Sequence, residues 1–207
     1  MLENVWIDAN NEPDYFNSSK TENGRVSYTI YHLPRHEPNS RGNHPNAFIF
    51  LTCDAYGVLP PLSKLSTGQA QYHFLSGIFD AASNKYASIL KKKLQEKKTP
   101  VYLINTGWTA GVYGVGKRMK LPFTRMFVGA VLDGSITEAS FVKDPLFGFE
   151  IPTKVNGVPS EILNPSDAWS DKAAFDQTAL KLAKSFKENF KQFILPENDL
   201  SIFGPTV

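Results

Sequence analysis

A short apolar run, Val101-Tyr102-Leu103-Ile104, opens into a segment crowded with Gly107, Gly111, Gly114 and Gly116, after which come Lys117, Arg118, Lys120 and Arg125. No other stretch restricts the fold so tightly. The run is rich in strand formers, with turn signals on both sides (Thr99-Pro100 and Asn105-Thr106-Gly107), so it predicts a buried strand. The glycines predict a loop able to present backbone N–H groups where a side chain would obstruct an anion. Gly111 to Lys117 fits the opening of the phosphate-binding pattern G-x-x-x-x-G-K-[ST], but Arg118 stands where that pattern needs a hydroxyl to hold magnesium. A Walker A loop is therefore excluded. What remains is an anion-friendly loop ending in a guanidinium suited to triphosphate oxygens through bidentate hydrogen bonds. A surface loop of ordinary solvated lysines is the alternative.

At 207 residues the chain fits one domain, or a large piece of one, and can bury a real core. A net charge of +2 is too small to argue for nucleic acid or an anionic membrane, and neither is expected as a partner. The single cysteine, Cys53, excludes an intrachain disulfide and a CxxC metal site; it sits in an apolar run and reads as a buried packing residue in a reducing compartment. No apolar run approaches the roughly 20 residues that cross a bilayer. The start, MLENVW, lacks a basic and apolar signal pattern, so a cytoplasmic protein is expected.

Residues 1–46 read as hairpins and loops, with a half-buried strand over Val26 to Tyr31 and Arg25 at its entrance, where Glu22 is available to pair with it. His32, His36 and His44 are separated by Pro34 and Pro38, which forbid one helix face, so solvated loop histidines are expected rather than a metal site. Ala47 to Leu51 predicts a second buried strand. Asp54 beyond it is either a wall of a binding site or the cap of a turn. Helices are expected over Thr67 to Gly77, with Ala70 and Phe74 inward, and over Lys85 to Lys98, with Tyr86, Ile89, Leu90 and Leu94 on one face. The lysines of KKKLQEKK serve as the wet face of that second helix. A further helix spans Phe123 to Asp133 and stops at Gly134. Asp144 to Pro165 should form a long ordered loop with short strands. The last helix starts with Ser170 as N-cap, carries Phe175, Ala179, Leu182, Phe186, Phe190 and Phe193 on a core face, and is closed by Pro196. The tail, Glu197 to Val207, is expected to be loosely held. The pattern as a whole predicts an α/β (mixed α+β) fold, a mixed sheet flanked by helices.

Several blocks in this order resemble the ATP-dependent phosphoenolpyruvate carboxykinase family: TENGR at Thr21 to Arg25, FLTCDAYGVLPPLSKL at Phe50 to Leu65, QYHFLSG at Gln71 to Gly77, NTGW, YGVGKRMK and TR within the glycine segment, and IPTKVNGVPSEILNP at Ile151 to Pro165. The resemblance covers nearly all of the chain and implies a single partial domain, residues 1–207, similar to that enzyme's carboxyl-terminal nucleotide-binding domain. It implies that Arg25 of the TEN-x-R motif reaches the transferred phosphate. It implies that Arg118 and Met119 flank the adenine of ATP and that Thr124 hydrogen-bonds the base or its ribose. Two positions depart from the family: Gly24 where threonine is usual and Thr29 where proline is usual. A third departure follows LSG, where the family carries a long insert, partly a mobile lid over the nucleotide, and this chain has only Ile78 to Asn84. The family's P-loop and its manganese or magnesium ligands lie upstream of the matching blocks. The expectation is a nucleotide-binding part of a carboxykinase that is inactive alone, with a full-length relative or a separate amino-terminal half as partner. The alternative is a non-catalytic nucleotide-binding or interaction module.

Overall fold

The computed structural model describes residues 1–17, 19, 24–77, 84–194 and 199–207. The chain divides into two compact units, Met1–Asn43 and His44–Val207.

The first unit holds four two-residue strands: β1 (Leu2–Glu3), β2 (Trp6–Ile7), β3 (Pro13–Asp14) and β4 (Arg25–Val26). β1 pairs antiparallel with β4, setting Glu3 opposite Arg25, and β2 pairs antiparallel with β3. The β2–β3 turn is tied by Asp8, whose Oδ1 accepts from the backbone N–H groups of Asn10 and Glu12 at 2.8 Å each. These bonds hold the Asp8 carboxyl below its usual range. The expected strand over Val26 to Tyr31 ends almost at once. Ile30–His32 instead form a 3₁₀ turn in which Thr29 Oγ1 and His32 Nδ1 share a hydrogen bond of 2.8 Å, a local bond that competes with extended pairing. Glu22, the alternative partner of Arg25, lies outside the described residues.

The second unit is built on a five-stranded mixed sheet. Its strands are β5 (Phe48–Thr52), β6 (Leu62–Leu65), β7 (Val101–Asn105), β10 (Phe141–Lys143) and β11 (Glu150–Pro152), in the spatial order β10-β11-β6-β7-β5. Between β7 and β10 in the chain lies a separate hairpin of β8 (Trp108–Thr109) and β9 (Lys117–Arg118). The helices are α1 (Thr67–Gly77), α2 (Asn84–Lys97), α3 (Leu121–Leu132), α4 (Ser160–Leu163), α5 (Pro165–Ala168) and α6 (Lys172–Phe190).

β7 is the expected buried strand, and all five of its residues are buried. It runs parallel to β5 and antiparallel to β6. Because successive side chains point to opposite faces, it feeds two cores. Val101 and Leu103 join Phe50, Leu65, Ala70 of α1 and Ala179, Leu182 and Ala183 of α6. Tyr102 and Ile104 join Leu62 and Phe127, Ala130 and Val131 of α3. Burial on both faces explains an unbroken apolar run where a one-sided sheet would alternate. A third cluster, Tyr72, Leu75, Ala87, Phe190 and Leu200, locks α1, α2 and α6 together, with the rings of Tyr72 and Phe190 stacked at 4.0 Å.

Four sequence expectations need correction. β5 is an edge strand rather than a buried one, with Leu51 66% exposed. On α2, Ala87 and Leu94 face inward while Tyr86 and Ile89 are exposed. The inward meridian passes one residue beyond the expected face, where the small Ala87 lets α2 approach α1. The α6 N-cap is Asp171, whose carboxylate accepts from Ala174 N at 3.0 Å, not Ser170. The described part of the tail is held firmly. Leu200 is buried, Thr206 N donates to Leu146 O at 2.7 Å, and the Phe203 ring lies so close to Gly68 of α1 that a Cβ there would meet it at 2.3 Å. Pro196, expected to close α6, lies outside the described residues, as do residues 78–83 between α1 and α2. Gly134, with φ 80°, ends α3 as expected.

Candidate nucleotide-contacting hairpin

The last residue of β7, Asn105, is 1% exposed and carries three hydrogen bonds. Its Oδ1 accepts from the N–H groups of Asp54 at 3.0 Å and Gly107 at 2.8 Å, and its Nδ2 donates to Leu59 O at 3.1 Å. The turn after β5 is thereby fastened to the turn after β7. Asp54 completes the fastening. Its carboxylate accepts from Tyr56, Val58 and Leu59 N at 2.7 to 2.8 Å, so it caps the turn rather than walling a site. Cys53 beside it is exposed, not buried, because Asp54 turns inward at that point.

The glycines act differently from the anion cradle their crowding suggests. A Cβ on Gly107 would lie 2.3 Å from the backbone of Asp54, and one on Gly57 would lie 2.1 Å from Gly111 O. A Cβ on Gly116 would lie 2.2 Å from Gly111 O. Their use is backbone-to-backbone approach. Several N–H groups of the segment are taken internally: Trp108 donates to Asp54 O, Tyr113 to Ala55 O, and Val115 and Gly116 to Val112 O. Gly114, φ 86°, is the loop glycine with open space around it.

The segment therefore forms a hairpin with Trp108 opposite Arg118 and Thr109 opposite Lys117. The guanidinium of Arg118 lies over the Trp108 ring at 5.6 Å, its Nε donates to Thr106 O at 3.4 Å, and Tyr113 meets the same indole edge-on at 5.0 Å. Trp108 is the residue the sequence reading missed as a partner. Reading Ala110 to Gly116 as the connection of a hairpin puts position 109 across from 117 and 108 across from 118. Lys117, Arg118, Lys120 and Arg125 are all exposed, and among the described residues no carboxylate lies within ion-pair distance of any of them.

Met119 is 7% exposed and packs in the core with Phe127, while its N–H donates to Gly107 O at 2.7 Å. Thr124 sits half-buried in the first turn of α3 and donates its N–H to Lys120 O at 3.3 Å. Arg118, Met119 and Thr124 thus lie close in the chain at the β9–α3 corner, with the Met119 side chain turned into the core and Arg118 exposed. Arg25 belongs to the first unit, where it lines a pocket of about 360 Å³ with Asn4, Asp14, Tyr15 and Phe16. Of the histidines, His36 Nδ1 bonds Leu33 O at 2.9 Å and His44 Nε2 bonds Thr99 Oγ1 at 2.7 Å. Among the described residues no group of three His, Cys, Asp or Glu side chains converges so as to hold a metal ion, and no helix is long and apolar enough to cross a membrane.

The sequence pattern of the phosphoenolpyruvate carboxykinase family matches residues 1–82 and 78–161. The chain belongs to this family. Its match is broken near residues 78–82, between α1 and α2. Among curated relatives, the ATP-dependent phosphoenolpyruvate carboxykinase of Leptospira biflexa is 44% identical over 234 residues, covering 99% of this chain and 44% of the relative. That of Campylobacter jejuni subsp. doylei is 43% identical over 235 residues, covering 100% and 45%. That of Lysinibacillus sphaericus is 45% identical over 231 residues, covering 99% and 44%. The chain spans less than half the length of these carboxykinases. Aligning 234 positions against 99% of 207 residues also leaves nearly thirty positions of the Leptospira carboxykinase with no counterpart here.

Proposed function

We propose that the chain is the nucleotide-contacting, carboxyl-terminal part of an ATP-dependent phosphoenolpyruvate carboxykinase, a cytoplasmic enzyme of gluconeogenesis. The full reaction converts oxaloacetate and ATP into phosphoenolpyruvate, ADP and carbon dioxide. Arg118 carries this reading. Its guanidinium is spread over Trp108 and anchored through one nitrogen, so its remaining N–H groups form a pre-set planar fork for a phosphate or an adenine edge. Lys117, Lys120 and Arg125 add positive charge around the same corner, with no carboxylate among the described residues within ion-pair distance. Met119 supports the adenine contact chiefly by fixing the corner's shape, because its side chain is core. Thr124 supplies a hydroxyl for the base or ribose, and Arg25 contacts the transferred phosphate.

Decarboxylation followed by phosphoryl transfer needs a phosphate cradle, divalent metal, and cations to hold the two carboxylates of oxaloacetate. The described residues do not fit a site for manganese or magnesium. In this reading the P-loop and metal ligands belong to the part of the relatives that the chain does not span, and the nearly thirty missing positions are the lid. A lid excludes water and completes the catalytic set, so its loss lowers turnover more than binding.

The chain alone should therefore bind ATP and not turn over. Calorimetry tests the first half: binding in the micromolar range, weakened at least tenfold by Arg118→Ala, is expected, and no heat of binding at millimolar ATP would overturn it. A coupled assay tests the second, since phosphoenolpyruvate formation by the purified chain would refute the inactive-alone reading. A non-catalytic nucleotide-binding or interaction module is the second reading, favoured by the 44% span of the relatives. ATP binding that stays silent even with the missing half supplied would select it.

A further inference from the structure

We infer that Asn156 is a self-modifying site, at which the side-chain amide is lost to give aspartate and isoaspartate, and that the isoaspartate form displaces its turn from α3. Val158 N donates to Val155 O at 3.1 Å, closing a four-residue turn with Asn156 and Gly157 at its centre. Gly157 has φ 77° and Asn156 has no positive φ, the signature of a type II turn. Both residues are exposed. Among the described residues no group accepts a hydrogen bond from Gly157 N, and none bonds the Asn156 side chain. The other described pair of this kind, Asp133-Gly134, is held: Asp133 Oδ1 accepts from Ser135 N at 2.9 Å, and a carboxylate is a poor electrophile.

The chemistry needs only water. Gly157 N attacks Asn156 Cγ and gives its proton to solvent, while the Cγ–Nδ2 bond breaks and Nδ2 leaves with the electron pair, taking up a proton as ammonia. Closing that ring requires the peptide plane between the two residues to rotate, and the missing Cβ at Gly157 leaves both signs of φ open to it. Water then opens the cyclic imide at either carbonyl carbon. Opening at Cγ restores the main chain and gives aspartate, a new charge in the cavity that residue 156 lines with Lys154. Opening at the main-chain carbonyl breaks the original peptide bond and gives isoaspartate, whose chain runs through Cβ and is one carbon longer. The turn has no slack for that carbon, because a Cβ on Gly157 would lie 3.2 Å from Met126 Sδ on α3. The aspartate form therefore keeps the contact with Met126, and the isoaspartate form shifts it.

The test holds the folded 207-residue chain in mildly alkaline buffer and follows the tryptic peptide Val155–Lys172 by mass spectrometry, with electron-transfer fragmentation to tell aspartate from isoaspartate. The peptide's other asparagine, Asn164, precedes Pro165, whose nitrogen carries no proton and cannot close the imide, so the gain reports residue 156 alone. Both products should accumulate at a rate within about tenfold of that in the urea-unfolded chain, as befits an exposed turn that opens locally at little cost. Asn156→Gln, which would need a larger ring, should abolish the gain. A slower folded-state rate than that, or an equal gain in Asn156→Gln, would overturn the site. Hydrogen exchange across residues 124–128 then compares the isoaspartate fraction, separated by ion exchange, with the Asn156→Asp variant. Exchange should quicken in the first and stay at the unmodified chain's rate in the second. Equal exchange in the two would overturn the displacement from α3.

Discussion

Asn105→Ala is the substitution that tests the hairpin's anchorage most directly. The side chain is fully buried and serves three backbone groups from three places in the chain: Asp54 N, Gly107 N and Leu59 O. Alanine fits the strand but removes the partner of all three groups. A buried unsatisfied group costs about 1–3 kcal/mol. Some relaxation at the exposed end of the turn reduces the sum, so a loss of about 3–5 kcal/mol is expected, a large share of the roughly 5–15 kcal/mol that stabilises a domain. Urea denaturation reads it as a lower midpoint with an unchanged slope. Near-ultraviolet circular dichroism should change at the same time, since Trp108 loses its fixed setting between Arg118 and Tyr113. A loss below about 1 kcal/mol would refute the argument that Asn105 holds the two turns together.

Gly107→Ala should destabilise by more than about 2 kcal/mol, because the new Cβ meets Asp54 backbone at 2.3 Å, while Gly114→Ala, in open space at φ 86°, should cost about 1 kcal/mol; equal losses in a thermal melt would contradict the close-packing role. His73 is buried among Tyr72, Phe149 and Phe186, and burial pushes its pKa down from 6.5 to about 4. Protons then bind the unfolded chain better than the folded one, so stability is full above about pH 6.5 and falls by about 3 kcal/mol as the pH drops towards 4. Denaturation midpoints across that window check it, and the slope should flatten in His73→Leu.

Local signals carried much of this structure. β7 and α1 were legible because their ends are marked: turn residues flank the apolar run of β7, and Gly77 closes α1. The stripe on α6 was legible for the same reason: Phe175, Ala179, Leu182, Phe186 and Phe190 recur at helical spacing and pack as a face. What escaped depends on contacts between distant positions. Asp54 and Asn105 are 51 residues apart, and only their pairing decides that Asp54 caps a turn. The glycines look alike in sequence, yet three are used for backbone contact and one is not, which follows from the fold of the neighbouring turn. The tail, at the end of the chain, was expected to be loosely held, but Phe203 finds its place over Gly68 of α1, whose missing side chain makes the space. β5 was read as interior from its composition and stands at an edge, with Leu51 66% exposed, because the number of paired neighbours is not written in a strand's own residues.

The break in the family match falls where the fold depends on it least. α1 and α2 are joined directly by their own packing. Tyr72, Leu75 and Ala87 share one cluster, and Gln71 Nε2 donates to Ala87 O at 3.1 Å across the pair. Neither contact needs the link between Gly77 and Asn84 to have any particular length. Inserting a segment of about thirty residues there would lengthen the six-residue link, 78–83, about sixfold. Loop closure then costs about (3/2)RT ln 6, or about 1.6 kcal/mol. The enlarged chain should thus fold and melt only a few degrees lower. If the insert is a nucleotide lid, ATP should slow hydrogen exchange within it, whereas loss of folding on insertion would show that the short link is itself structural.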